Sequence, residues 1–242
     1  MFAIDFGARS IKVAKVHKVS NGYELDNYGI TLSPEGAIAN GEIFNPIVVA
    51  DVLIELLKDS GIRDRKAIIA ITGQKVIIRE IVLPIMEDKE LMAGVMWEAP
   101  KYVPYDLDES IIDAEKVDEF VEKDGNKMMR VLLVAVPKSI VQPYMEVLKK
   151  ARIRPKIVDV ISSANIRAFE NNLSGKKEEE KEGTIIDIII SIGASSTILS
   201  LVEKGKLKFT RNILVGGDDI TKAIAKSLNL SFNEAEKLKR ET

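Results

Sequence analysis

Ile4-Asp5-Phe6-Gly7-Ala8-Arg9-Ser10 and Ile190-Ser191-Ile192-Gly193-Ala194-Ser195-Ser196 are two versions of one stretch, and their repetition decides the fold. Each runs apolar residues into a Gly-Ala-x-Ser turn. A second apolar stretch follows each turn, Ile11-Lys12-Val13-Ala14-Lys15-Val16 in the first and Thr197-Ile198-Leu199-Ser200-Leu201-Val202 in the second. Both read as β-hairpins with accessible backbone amides at the bend. Glycine lets a ligand approach the chain closely, and successive N–H groups can converge on an anion. Two such turns could therefore grip one polyphosphate from opposite sides.

Outward from the first turn, Tyr23 to Leu32 reads as a third strand. Asn45-Pro46 opens a helix running to Leu57, with Asn as cap and Pro at the first helical position. The apolar run Lys66 to Thr72 suits a buried parallel strand, giving the order β-β-β-α-β, and residues 75 to 83 add another strand before Pro84. Asp88 to Trp97 then forms a helix, broken by the prolines at 100 and 104.

A smaller α/β unit follows, with strands Ile111 to Phe120 and Met128 to Val136 around a turn at 123–126. A helix from Ser139 to Ala151 places Pro143 in its first turn. A strand at Lys156 to Val160 leads to a helix over Ser162 to Asn172, capped by Ser162 or Ser163. The charged run between Ser174 and Gly183 has nothing to bury and reads as a linker. Beyond the second hairpin come a strand from Leu207 to Leu214, the turn Gly216-Gly217, a helix over 218–228 and a last helix from Ser231. Ser231-x-x-Glu234 is a capping box.

Composition narrows the function classes. The 242 residues leave room for two lobes, and 46% are apolar, enough for a substantial core. Lys plus Arg number 35 against 37 Asp plus Glu, so the charge balance gives no basis for a nucleic-acid binder. No cysteine is present, which excludes disulfides, thiolate metal sites and thiol catalysis. No stretch approaches the roughly 18 uninterrupted apolar residues of a membrane span, so a soluble, cytoplasmic protein is expected.

The turn residues suggest specific chemistry. Asp5, Gly7 and Lys12 make the spacing Asp-x-Gly-x-x-x-x-Lys. The carboxylate could hold Mg²⁺ through water, the turn amides and Ser10 could bind phosphate oxygens, and Lys12 could neutralise further charge. A single such pattern is more often a plain hairpin with Gly at its bend. The downstream copy is what favours a nucleotide. Arg9 faces either phosphate or solvent. His17, the only histidine, stands among lysines and reads as solvated. Met92, Met96 and Trp97 have helical spacing and read as packing, with an aromatic-lined peptide groove as the alternative.

These features resemble the actin, Hsp70 and sugar-kinase superfamily. Within it, the chain is similar to the PilM family of type IV pilus assembly proteins. The matching text includes Val103-Pro104-Tyr105-Asp106, Lys156-Ile157-Val158-Asp159-Val160, Val215-Gly216-Gly217-Asp218-Asp219-Ile220 and Leu230-Ser231-Phe232-Asn233-Glu234-Ala235-Glu236. The implied fold is α/β and actin-like, a duplicated ribonuclease-H-like arrangement. Its expected parts are a first core unit at 1–83 plus 156–173, an inserted small α/β unit at 84–155 like that of FtsA, a linker at 174–183 and a second lobe from 184. The C-terminal part of that lobe is expected to lie beyond the sequence.

The resemblance further implies ATP and Mg²⁺ as cofactors. It places Asp5, Gly7, Ala8, Arg9, Ser10 and Lys12 on one phosphate loop, with Asp5 toward the metal, and Gly193, Ala194 and Ser195 on the other. Gly216 and Gly217 border the cleft, and Glu236 and Lys239 contact ribose and adenine. Relatives carry Asp where this chain has Ser191, which argues against hydrolysis. Asp187, about 13 Å up the same strand face, is no substitute. The implied function is an adaptor that captures the cytoplasmic N-terminal tail of a PilN-like inner-membrane protein in a groove near segments 76–83 and 131–136. It would then meet the membrane only through that partner, with self-association possible. The alternatives are an active ATPase or kinase, or an FtsA-like division filament.

Overall fold

The computed structural model describes residues 1–20, 22–170, 173 and 185–241. The expected linker at 174–183 lies outside the described residues. In chain order the elements are β1 (Phe2–Phe6), β2 (Ser10–Val19), β3 (Gly22–Leu32), β4 (Ile38–Ala39), β5 (Glu42–Ile43), α1 (Pro46–Asp59), β6 (Lys66–Ile71), β7 (Ile77–Pro84) and α2 (Asp88–Glu98). They continue with β8 (Ser110–Val121), β9 (Lys127–Pro137), α3 (Lys138–Lys150), β10 (Arg154–Val160), α4 (Ile161–Ala168), β11 (Ile186–Ile192), β12 (Thr197–Glu203), β13 (Lys206–Ile213), α5 (Gly217–Leu228) and α6 (Phe232–Glu241). No helix among the described residues is long and apolar enough to cross a membrane.

The first sheet has the order β10-β6-β1-β2-β3, with β10, β6 and β1 parallel and β1 to β3 antiparallel. Its core forms on one face, where alternate residues of β1 (Phe2, Ile4, Phe6) meet Val49, Leu53 and Leu56 from one stripe of α1. The Asn45 side chain accepts the Val48 N–H and starts that helix as expected. Helix α3 completes this layer with Tyr144, whose ring meets Phe6 edge-on at 5.4 Å and whose hydroxyl donates to the Gly41 carbonyl at 2.8 Å. That carbonyl belongs to the short β4–β5 hairpin, which the β-β-β-α-β reading lacked. Tyr144→Phe strands a buried acceptor, so it is expected to cost about 1–2 kcal/mol in urea unfolding.

Sheet membership differs from the expected division in two places. β7, read as part of the first core unit, pairs with β9 in the separate sheet β7-β9-β8. Helix α3, read as part of the insertion, packs into the first core through Val147 and Leu148. Both follow from burial. The inward residues Ile81 and Leu83 of β7 cluster with Met129, Val131 and Leu133 of β9, whereas the stripe of α3 matches that of α1.

Pro143 is the sixth residue of α3, not in its first turn. α4 starts one residue before the expected caps, at Ile161, with Val160 as its N-cap. Ser162 is buried inside the helix. Trp97 is not packing: it is 82% exposed. Val95 and Ala99 supply the inward stripe of α2, and a residue two positions from Val95 points about 200° away from it.

The second sheet, β11-β12-β13, repeats β1-β2-β3. Ile188, Ile190 and Ile192 match Phe2, Ile4 and Phe6 in the aligned turns, yet they are 60%, 58% and 69% exposed. The first sheet has α1 and α3 over this face, while the matching face here lies open to solvent.

Candidate functional site

The two repeated turns face each other across a cleft of about 320 Å³. Each is closed identically, with the Gly7 N–H donating to the Ser10 carbonyl at 3.1 Å and the Gly193 N–H to the Ser196 carbonyl at 2.9 Å. A Cβ on Gly7 would stand 2.8 Å from the Ser10 carbonyl oxygen, so glycine is what permits the tight turn. Asp5, Gly7, Ala8, Arg9, Ser10, Lys12, Gly193, Ala194 and Ser195 all line the cleft. Ser195 Oγ also accepts the Asn40 N–H at 3.0 Å, which ties the second turn to the β4–β5 hairpin.

Charge is arranged unevenly. Lys12 Nζ donates to Asp5 at 2.7 Å, and Asp5 is the only carboxylate on the lining among the described residues. Ser191 occupies the position in the second turn that Asp5 holds in the first. Arg9 is half-buried on the edge of the cleft. Its guanidinium lies over the Phe232 ring at 5.5 Å and 4.0 Å from Glu236, joining the first turn to α6.

Gly216, Gly217, Glu236 and Lys239 are not on the lining; they stand behind the second turn and brace it. The Gly217 and Asp218 N–H groups donate to the carbonyls of Gly193 and Ala194, both at 2.9 Å. Lys239 Nζ donates to the Gly217 carbonyl, Thr221 Oγ1 and Glu236. The Lys239 ammonium, then the Thr221 hydroxyl and Arg240, hold the Glu236 carboxyl down at about 2. A folded value below the ordinary 4.5 stabilises the fold above that range and is lost as pH falls toward 2. Glu236→Gln is therefore expected to cost about 1.5 kcal/mol near neutral pH and to remove part of the stability loss between pH 5 and pH 2, followed by urea midpoints.

A polyphosphate fits these residues. Besides the turn amides and Lys12, the cleft holds Arg9 Nε and Asn165 Nδ2, both buried donors without a hydrogen-bond partner among the described residues. A divalent cation has only Asp5, and no cluster of three or more His, Cys, Asp or Glu exists among the described residues. Asn165 escaped sequence reading because its placement depends on α4 crossing the cleft; nothing in its neighbours marks it.

A second concavity of about 440 Å³ opens between two sheet edges, β8 of the three-stranded sheet and β10 of the five-stranded one. Leu132, Val134 and Val136 of β9 form its floor, with Val141 and Met145 of α3 beside them and Val158 of β10 on the rim. Of the two segments expected beside a partner groove, 131–136 gives this concavity Leu132, Val134 and Val136, and its described lining takes nothing from 76–83, because β7 pairs with the opposite side of β9 from β8.

A model of the family described as type IV pilus assembly protein PilM matches residues 3–242. Cell division protein FtsA of Bacillus subtilis is 28% identical over 194 residues, which cover 73% of this chain and 42% of that protein. FtsA of Streptococcus pneumoniae is 31% identical over 111 residues, or 46% of this chain and 22% of that protein. The chain thus spans less than half the length of these curated relatives. Among solved structures, a PilM-PilN type IV pilus biogenesis complex superposes with a TM-score of 0.85 at 28% identity, covering 99% of this chain and 68% of that one. The ethanolamine utilization protein EutJ from Carboxydothermus hydrogenoformans, at TM-score 0.50 and 14% identity over 99% of this chain and 60% of its own, is alike in fold alone. The duplicated turns and sheets are those of the actin-like fold.

Proposed function

The chain belongs to the type IV pilus assembly protein PilM family, and from that premise we propose that it is an adaptor in pilus assembly which captures the cytoplasmic N-terminal tail of a PilN-like membrane protein. The observation that carries the reading is the apolar concavity between the edges of β8 and β10. It is a slot between two sheets, floored by Leu132, Val134 and Val136, and an extended segment placing apolar side chains at alternate positions matches it. The matched PilM structure is a complex with PilN, which supports the same kind of occupant here. Held this way, the protein sits at the inner face of the membrane through its partner. Hydrogen exchange with and without a tail peptide tests the site: protection is expected over 111–116, 131–136 and 156–160, and protection confined to other segments overturns the assignment.

The paired-turn cleft serves this adaptor as an ATP site. Bound ATP would contribute a charged polyphosphate held in common by the two turns. Gly7 to Ser10 and Gly193 to Ser195 supply the surrounding amides and hydroxyls, Lys12 the compensating charge, and Asp5 a water-mediated hold on Mg²⁺. α4 lies between the cleft, which Asn165 lines, and the slot, which Ser163 and Arg167 line. A nucleotide with different contacts in two lobe arrangements would shift the tail's affinity. Ser191, a hydroxyl where the first turn has a carboxylate, favours binding over turnover. Mg-ATP is expected to raise the unfolding temperature, with the gain lost in Lys12→Ala; no shift in the parent chain overturns the ATP assignment.

A further inference from the structure

Resting on the slot reading above, we infer that Asp113 and Glu115 make the slot selective for an apolar tail that also carries Lys or Arg. On β8 these two residues follow Ile111 at two-residue spacing, so all three share one face, directly opposite Val136, Val134 and Leu132 of β9. The floor is therefore apolar, and one wall ends in carboxylates.

Glu115 has no partner among the described residues, and Asp113 accepts only the neighbouring Ala114 N–H, at 2.9 Å. The other charges on the lining, Asp159 and Arg167, are paired with each other. The slot thus carries two negative charges that form no ion pair among the described residues. An apolar segment with interspersed basic residues neutralises them while filling the floor. The cytoplasmic flank of a membrane span has that composition, since positive residues collect on that side.

The edges also limit how a segment can be read. Asp113 covers the Ala114 amide, and Asp159 covers the Val160 amide at 2.8 Å. Strand addition is blunted at these two points, which leaves side-chain chemistry to discriminate between tails.

The test is a calorimetric titration of the full chain with two synthetic peptides: a short Leu-rich segment with two arginines, and the same segment with glutamine in their place. The parent chain is expected to bind the arginine peptide about tenfold tighter at low salt, two exposed ion pairs each giving about threefold, and the preference should shrink as salt is raised. In the double variant Asp113→Lys, Glu115→Lys the arginine peptide should weaken about tenfold while the glutamine peptide changes less than about twofold. Both positions are exposed, and an unchanged unfolding temperature confirms that the variant folds. Equal binding of both peptides by the parent chain overturns the charge selectivity and leaves the slot reading intact. Binding of neither overturns both.

Discussion

Gly216→Ala is expected to lower the stability of the chain by about 3 kcal/mol, a severe case of overpacking. A Cβ on Gly216 would stand 2.3 Å from the Ala194 carbonyl oxygen and 2.8 Å from that of Gly193. These are backbone atoms of the second turn, already fixed by the N–H groups of Gly217 and Asp218. Relief requires the start of α5 to move off the turn, which breaks both hydrogen bonds and disturbs the wall of the cleft. Gly217→Ala is the matched control. Its Cβ would meet Lys239 Nζ at 3.4 Å and the Gly193 carbonyl oxygen at 3.6 Å, ordinary contact distances, so the change should lie within about 0.5 kcal/mol. Urea unfolding of the two variants separates them, and equal small losses would contradict the packing described for the second turn.

Val158→Asp should weaken capture of a tail peptide about thirtyfold, or ~2 kcal/mol. Val158 is 46% exposed on the edge strand β10 and lines the slot, so the folded chain tolerates a carboxylate there. An apolar tail would have to desolvate that charge beside the floor residues. Tyr23→Asp, at a residue 73% exposed on the opposite edge strand of the same sheet, should leave binding unchanged. Equal effects at the two positions, or none at Val158, would place the tail elsewhere.

Much of this architecture is legible in the sequence because it is set by local chemistry. The Gly-Ala-x-Ser turns fix both hairpins, Asn45-Pro46 fixes the start of α1, and Ser231 with Glu234 forms the capping box read from their spacing. Long-range partnerships are what local patterns do not carry. β7 looks like a strand of the first core, and only its pairing with β9 moves it to the other sheet. Trp97 shares helical spacing with Met92 and Met96, yet the burial of Val95 and Ala99 decides which face of α2 turns inward. His17 reads as solvated, and it is about half exposed; its ring also lies 2.7 Å from Asp26 on the paired strand. In the cleft, the turn residues were found by their repetition, whereas Asn165 and the Arg9–Phe232 contact exist only once the two lobes meet.

The central claim is capture of a PilN-like tail, and a calorimetric titration of the chain with the N-terminal cytoplasmic peptide of its neighbouring pilus membrane protein, with and without Mg-ATP, tests it most directly. Saturable one-to-one binding, abolished or strongly weakened by Val158→Asp, is the expected result, and a change of affinity with Mg-ATP would couple the cleft to the slot. No heat under either condition, from a sample whose circular dichroism and cooperative unfolding show it folded, would contradict the adaptor account.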